Sequence, residues 1–297
     1  MTIPFDRSFN APYGELQRLS PTVSRLLAHN PGPFTFRGTG VYIVEAGDTS
    51  REVAVIDPGP LVPEHLDALR HALRDKHVTH ILITHTHSDH SPAAQQLKEW
   101  TGAKTYGFGP HGSGMGDDAK AEEAGDLNFV PDVAVRDGDV IAGGDFALEC
   151  LHTPGHTSNH MCYALRGEKA LFTGDHVMGW STTVVAPPDG DMALYVASLR
   201  KLLARHDRIL YPTHGGPIRD SKPFLKAYLQ HRLEREAQIV VCLREGGTTI
   251  PDIVARLYAD VDPRLHPAAS RTVLAHLLQL QAEGRVRREA DCWTPAG

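Results

Sequence analysis

Four times along this chain an apolar run passes straight into a cluster of histidine and aspartate. The runs are ILI before THTHSDHSP (residues 84–92), FALECL before HTPGH, ALFTG before DH, and RILYP before THGG. In α/β proteins ligands gather at the carboxyl ends of strands, so four such ends can converge on a single site. A chain with this habit is constrained to a fold that brings those ends to one edge.

From Phe34 to about Tyr211 short apolar strands are broken by Gly, Pro and Asp turns, with helical segments between some of them. VYIVEAG and EVAVIDPG read as neighbouring strands, and PEHLDALRHAL as an amphipathic helix with Leu66, Leu69 and Leu73 on one face. THILIT reads as an inner strand and AAQQLKEW as a helix after Pro92. The stretch MCYALRGEKALFTGD reads as a hairpin turning at Gly167 and Glu168, which fits a doubly wound parallel sheet poorly. The expected class is therefore α/β with two packed sheets and helices outside. Residues 107–126 are Gly-rich and then acidic, with no GK[ST] to make a phosphate loop. They read as a surface loop, with a lid over the site as the alternative.

After Gly216 the composition turns helical. PFLKAYLQHRLEREAQIVVCLRE, TIPDIVARLYAD and ASRTVLAHLLQLQAEG read as three helices, and RVRREADCW as a strand pair. Together they form a small winged-helix-like module, which divides the chain into residues 1–222 and 223–297. A packing or dimerisation role through these helices is favoured over nucleic-acid binding, because the third helix offers only Arg271, His276 and Gln279 as contacts. Arg285, Arg287 and Arg288 keep the nucleic-acid reading open.

The spacing in HTHSDH has a physical reading. In extended chain His85, His87 and Asp89 point to one side, and His90 swings in as the chain turns. Imidazole and carboxylate are good ligands for a borderline cation such as Zn(II), at about 2.0–2.2 Å. Four donors so close in sequence would crowd one tetrahedral site, so division between two adjacent ions is the natural solution. It needs further ligands, and His156, Asp175 and His214, each in a tight Gly- or Pro-rich turn after an apolar strand, are on offer. With 18 histidines in 297 residues, random placement gives on the order of 0.005 HxHxDH matches. The cluster is not a by-product of composition. His29, His65, His71, His77, His80, His111, His206, His231 and His266 lack such context and read as surface or helix-face residues. His160 and His176 sit beside site residues, as supports or as packing.

Assembled in this order, THTHSDH, TPGH, GD and TH between Phe34 and Gly216 resemble the metallo-beta-lactamase superfamily. The resemblance implies an αβ/βα sandwich with a dinuclear zinc site at one edge. It assigns His85, His87 and His156 to one ion, Asp89, His90 and His214 to the other, and Asp175 as the bridge. Within the superfamily the chain most resembles the beta-lactamase-like protein 2 group, through TGDHVMGWSTTVV, YPTHGGPI followed by a helix with HRLERE, and the winged tail. For its eukaryotic members that group implies a zinc-dependent endoribonuclease acting on single-stranded RNA, with other substrates elsewhere. Ser91 and Pro92 depart from the glycines common after the motif.

The resulting expectation is a hydrolase with two Zn(II) ions, iron or manganese being alternative metals, that delivers a metal-bridging hydroxide oriented by Asp89. Ser181, Thr182 and Thr183 are candidate substrate contacts. Single-stranded RNA phosphodiesters stand first as substrate, with small-molecule thioesters of the hydroxyacylglutathione type, esters or lactones next. The competing class is a nucleic-acid-binding regulator with structural metal, for which seven ligands are excessive. A net charge of −6 supplies no global attraction to nucleic acid or anionic membrane. No charged leader followed by an apolar stretch opens the sequence, and the chain reads as cytoplasmic. Cys150, Cys162, Cys242 and Cys292 form no CxxC pair and read as buried thiols.

Overall fold

The computed structural model describes residues 2–47, 51–112 and 125–296. Most of the Gly-rich acidic loop, residues 113–124, lies outside them. Seven strands form the first sheet in the order of the chain: β1 (Leu16–Arg18), β2 (Val23–Leu27), β3 (Gly40–Glu45), β4 (Glu52–Ile56), β5 (His77–Leu82), β6 (Lys104–Gly107) and β7 (Val133–Ala134). The second sheet holds β8 (Val140–Gly143), β9 (Phe146–His152), β10 (Met161–Leu165), β11 (Ala170–Gly174) and β12 (Ile209–Pro212), in the order β12-β11-β10-β9-β8.

The alternation of side chains explains the layering. In β3, Tyr42 and Val44 face the second sheet while Val41 and Ile43 face outward; in β10, Met161 and Tyr163 face the first sheet while Cys162 and Ala164 face outward. Both faces of each sheet are thus apolar, and each needs a cover. Helices α1 (Pro63–Leu73) and α2 (Ala93–Thr101) cover the first sheet with Leu69, Leu73, Ala94 and Leu97. Helix α3 (Met192–Leu203) and the first half of α4 (Ser221–Arg244) cover the second. The expected αβ/βα sandwich is what forms, and β10 and β11 pair antiparallel as the expected hairpin.

The remaining chain builds α5 (Ile250–Leu257), α6 (His266–Ala282) and the ribbon of β13 (Val286–Glu289) with β14 (Cys292–Pro295). Thr249 caps α5 in a reciprocal capping box with Asp252. The second half of α4 supplies Ile239, Cys242 and Leu243 to this module's own core, where Trp293 is buried. One helix therefore serves two cores. Among the described residues no helix is long and apolar enough to cross a membrane.

Several sequence expectations need correction here. His65, not Leu66, joins Leu69 and Leu73 on the buried face of α1, and its Nε2 lies 2.7 Å from the Pro58 carbonyl. His111 is buried against the Thr86 hydroxyl at 2.9 Å. His276 is buried, which withdraws it from any nucleic-acid surface, and Gln279 and Arg285 are engaged by Glu236 and Glu283. Cys292 is exposed, because it lies on the open face of the ribbon whose inward residue is Trp293.

Candidate metal centre

The site forms where strand ends meet. Asp57 follows β4, residues 84–90 follow β5, His156 lies in the loop after β9, Asp175 follows β11 and His214 follows β12. Because β4 runs parallel to β5, and β11 to β12, these ends face one edge. Bonds between the two sheets lock that edge: Met161 N–H to the Thr84 carbonyl at 2.7 Å, Gly40 N–H to the Thr213 carbonyl at 2.9 Å, and the Tyr163 hydroxyl to the Ile83 carbonyl at 2.7 Å.

All seven residues singled out as ligands come together. His85 Nε2 lies 2.9 Å from His87 Nδ1, and His156 Nε2 lies 3.1 Å from that same Nδ1. On the other side His90 Nε2 stands 3.4 Å from Asp89 Oδ1, and His214 Nε2 stands 3.2 Å from Asp89 Oδ2. Asp175 reaches toward both halves, 3.4 Å from His214 Nε2, 3.6 Å from His90 Nε2 and 3.9 Å from His156 Nε2. Three donor groups result, each with its atoms within 4.8 Å of one another: His85, His87 and His156; His85, His90 and Asp175; and Asp89, His90 and His214.

The backs of the imidazoles are held. His90 Nδ1 bonds Asp57 Oδ2 at 2.9 Å, His156 Nδ1 the Val184 carbonyl at 2.7 Å, His214 Nδ1 the Gly38 carbonyl at 3.1 Å, and His85 Nδ1 meets the Thr84 hydroxyl at 3.0 Å. Such bonds fix ring orientation and leave Nε2 facing inward. The Thr39 hydroxyl donates to Asp89 Oδ2 at 2.7 Å, fixing that carboxylate. Asp89 Oδ1, Asp175 Oδ1 and the Nε2 atoms of His90 and His214 are buried without a hydrogen-bond partner. Buried polar atoms are rarely left so, and converging oxygens and imidazole nitrogens are the donor set a divalent cation takes. The residues present fit divalent metal binding.

Electrostatics divide the site. Burial, and then the neighbouring imidazoles, hold His85 and His87 well below the ordinary histidine value; burial also lowers His156, against the opposing pull of Asp175. Neutral imidazole is the form that binds metal. On the other side burial opposes charge on His90 and His214, but Asp89 and Asp175 carry both well above it. Despite its burial, Asp175 is held well below the usual carboxylate range by His214 and His90. The protons these carboxylates draw onto His90 and His214 stand where a cation would.

Two glycines are required by the turns. Gly174 has φ +50°, and a Cβ there would lie 2.6 Å from His160 Nε2. Gly155, at φ +132°, would place a Cβ 2.3 Å from the Tyr195 Cα. His160 accepts the Asp175 N–H at 3.2 Å and so supports the bridging residue.

Ser181 and Thr182 line a cavity whose walls also include His156 and Asp175. Thr183 lines it too, but its hydroxyl donates to the Asp175 carbonyl at 2.6 Å, which makes it a support for that residue as well. Sequence reasoning missed Asp57 and Thr39. Asp57 carried a usable signal, since EVAVIDPG repeats the habit of an apolar strand ending in Asp. Thr39, fifty positions from its partner, carried none.

Residues 35–214 match the Metallo-beta-lactamase superfamily model, and residues 249–293 match the Beta-lactamase associated winged helix domain. The chain is 30% identical to an atrochrysone carboxyl ACP thioesterase of Aspergillus terreus (strain NIH 2624 / FGSC A1156), over 94% of this chain and 87% of the relative. It is 32% identical to a Beta-lactamase-like protein 2 homolog of Caenorhabditis elegans, over 91% of this chain and 88% of the relative. Among solved structures, a beta-lactamase domain protein from Burkholderia ambifaria superimposes with a TM-score of 0.79 at 20% identity, over 98% of this chain and 97% of that one, a likeness of fold.

Proposed function

This chain belongs to the metallo-beta-lactamase superfamily, and on that premise we propose that it is a dinuclear, metal-dependent hydrolase of acyl thioesters. The observation that carries the reading is Asp175, set between a neutral three-histidine group and a group made of Asp89, His90 and His214. Zinc is well served by imidazole and carboxylate donors and is the ion we assign, with iron and manganese as alternatives. Held by these residues, two divalent ions would supply the Lewis acidity that lets water ionise near neutral pH.

The chain's own residues do the rest. Asp89, fixed by Thr39 and with Oδ1 unpartnered, is placed to orient the attacking water and take its remaining proton. Ser181 and Thr182, which line the cavity together with His156 and Asp175, are placed to contact the substrate. Attack at the carbonyl carbon breaks the C–S bond, and the sulfur leaves as thiolate. A thiol with a pKa of about 8.5 needs little help from an acid, whereas a sugar alkoxide leaving from RNA needs a proton donor. The thioester is also the substrate class in the name of the Aspergillus relative.

A single-stranded RNA phosphodiester is the second reading. It is favoured by the 32% identity to the Beta-lactamase-like protein 2 homolog and by exposed Arg287 and Arg288 on the ribbon. A panel of a thioester, a lactone and a short single-stranded RNA, presented to zinc-loaded protein at fixed salt, separates the two. Turnover of the thioester with the RNA left intact is expected, and RNA cleavage without thioester turnover would overturn the first reading.

A further inference from the structure

The cavity at the metal centre does not end in the sandwich. It encloses about 280 Å³ and runs from His156 and Asp175 to the winged module, where Val261, Leu265 and Ala269 form its far wall. Phe34, Met178 and Val184 line it on the catalytic side. The Val185 N–H to Thr272 hydroxyl bond, at 3.4 Å, joins the two sides. Apolar walls with a few convergent polar groups are the signature of a small-molecule site.

Three of those polar groups, His231, Arg232 and Arg235, come from one face of α4, and Arg7 of the N-terminal segment adds a further cation to the lining. Arg232 is 2% exposed; its guanidinium donates to the Thr183 carbonyl and lies 5.0 Å from the Tyr195 ring centroid. Arg235 donates to the Leu257 carbonyl at 2.7 Å and covers the Tyr258 ring at 4.2 Å. Among the described residues neither guanidinium pairs with a carboxylate. Both Nε atoms, and Nδ1 of His231, are buried without a hydrogen-bond partner. Two cations whose partners are neutral carbonyls and rings leave an uncompensated positive charge on a sheltered wall, where an anion is strongly favoured.

Tyr228, whose hydroxyl reaches the Ser181 carbonyl at 3.1 Å, marks the catalytic end of this face. Arg235 lies two turns further along α4, about 10 Å at the helical rise. The charge therefore stands well away from the carbonyl under attack.

We propose that this interdomain cavity is the acyl pocket of the enzyme and that it takes an apolar acyl chain bearing a carboxylate at its far end, held by Arg235. The winged module is then the specificity wall of the active site. This rests on the thioesterase reading.

The test uses zinc-loaded full-length protein and the N-acetylcysteamine thioesters of acetate, octanoate and octanedioate, the last with its far carboxylate free. The wild type should prefer octanedioyl over octanoyl and octanoyl over acetyl in kcat/KM. Arg235→Gln should lower the octanedioyl-to-octanoyl ratio about tenfold. Val261→Phe, which narrows the cavity, should lower the octanoyl-to-acetyl ratio, and Leu265→Ala should raise it; opposite signs exclude a mere loss of folding. Equal scaling of all three thioesters by every variant overturns the pocket while leaving the hydrolase reading intact. If no thioester is turned over, the thioesterase reading fails, and octanedioate binding followed by tryptophan fluorescence, Trp180 lying in the cavity wall, then decides the pocket. Saturable binding that Arg235→Gln weakens supports it; binding indifferent to the substitution overturns it.

Discussion

His90 and Asp57 form a buried pair, Nδ1 to Oδ2 at 2.9 Å, in which Asp57 sits at a left-handed backbone position with φ +49° directly after β4. The same carboxylate accepts the Thr84 N–H and hydroxyl, both at 2.7 Å, so it ties the first histidine turn to the neighbouring strand. Asp57→Asn keeps the shape but weakens the acceptor that orients His90. Affinity for the second metal should fall about 10–100-fold, with the three-histidine site retained, as read by competitive metal titration. Equal loss at both sites would refute this division of labour.

Asp89→Ala with His90→Ala removes two of the three residues proposed for the second ion. One metal per chain should remain by elemental analysis, and turnover should drop by about two orders of magnitude or more. Retention of two metals at full rate would sink the ligand assignment.

Gly174→Ala places a methyl group against His160 and Thr84 at a backbone angle that costs a side chain even in open space. Destabilisation of about 2 kcal/mol or more is expected in denaturant melts. Metal affinity should fall with it, since the residue that follows is Asp175. An unchanged midpoint would show that the turn can relax.

Burial, and after it Arg232 and Arg235, push His276 down to about 3 from its ordinary 6.5. The folded chain therefore binds fewer protons here than the unfolded chain does. Its contribution to stability is full above pH 6.5 and is lost as pH falls from there toward 3. His276→Leu should flatten the acid side of a plot of Tm against pH between 7 and 4; a profile as steep as wild type would show that the ring reaches solvent.

The metal-binding motifs were legible because ligand chemistry is written in residue types that have few other reasons to cluster. His85, His87, Asp89 and His90 announce themselves within six positions, and the periodicity of β3 and β10 shows which faces are buried. What supports the ligands was mostly hidden. Thr39 and the Gly38 carbonyl act through contacts between distant segments, and a threonine or a backbone oxygen has no sequence signature of that role. The burial of His65 and His276 was missed because histidine on an amphipathic helix is ambiguous, and the deciding neighbours, Pro58 and α4, are supplied by tertiary structure. The interdomain cavity was illegible for the same reason: its walls come from stretches near both ends of the chain.

Helix α4 begins on the second sheet with Phe224, Leu225 and Tyr228 and ends inside the winged module with Ile239, Cys242 and Leu243. An unbroken rod of this kind transmits disorder as well as order, because fraying at its far end loosens Tyr228 and Arg232, which brace Thr183 and through it Asp175. Heating should give a single calorimetric transition whose van't Hoff and measured enthalpies agree. Cutting the chain before α4 to isolate the catalytic part would leave the active site without its keel.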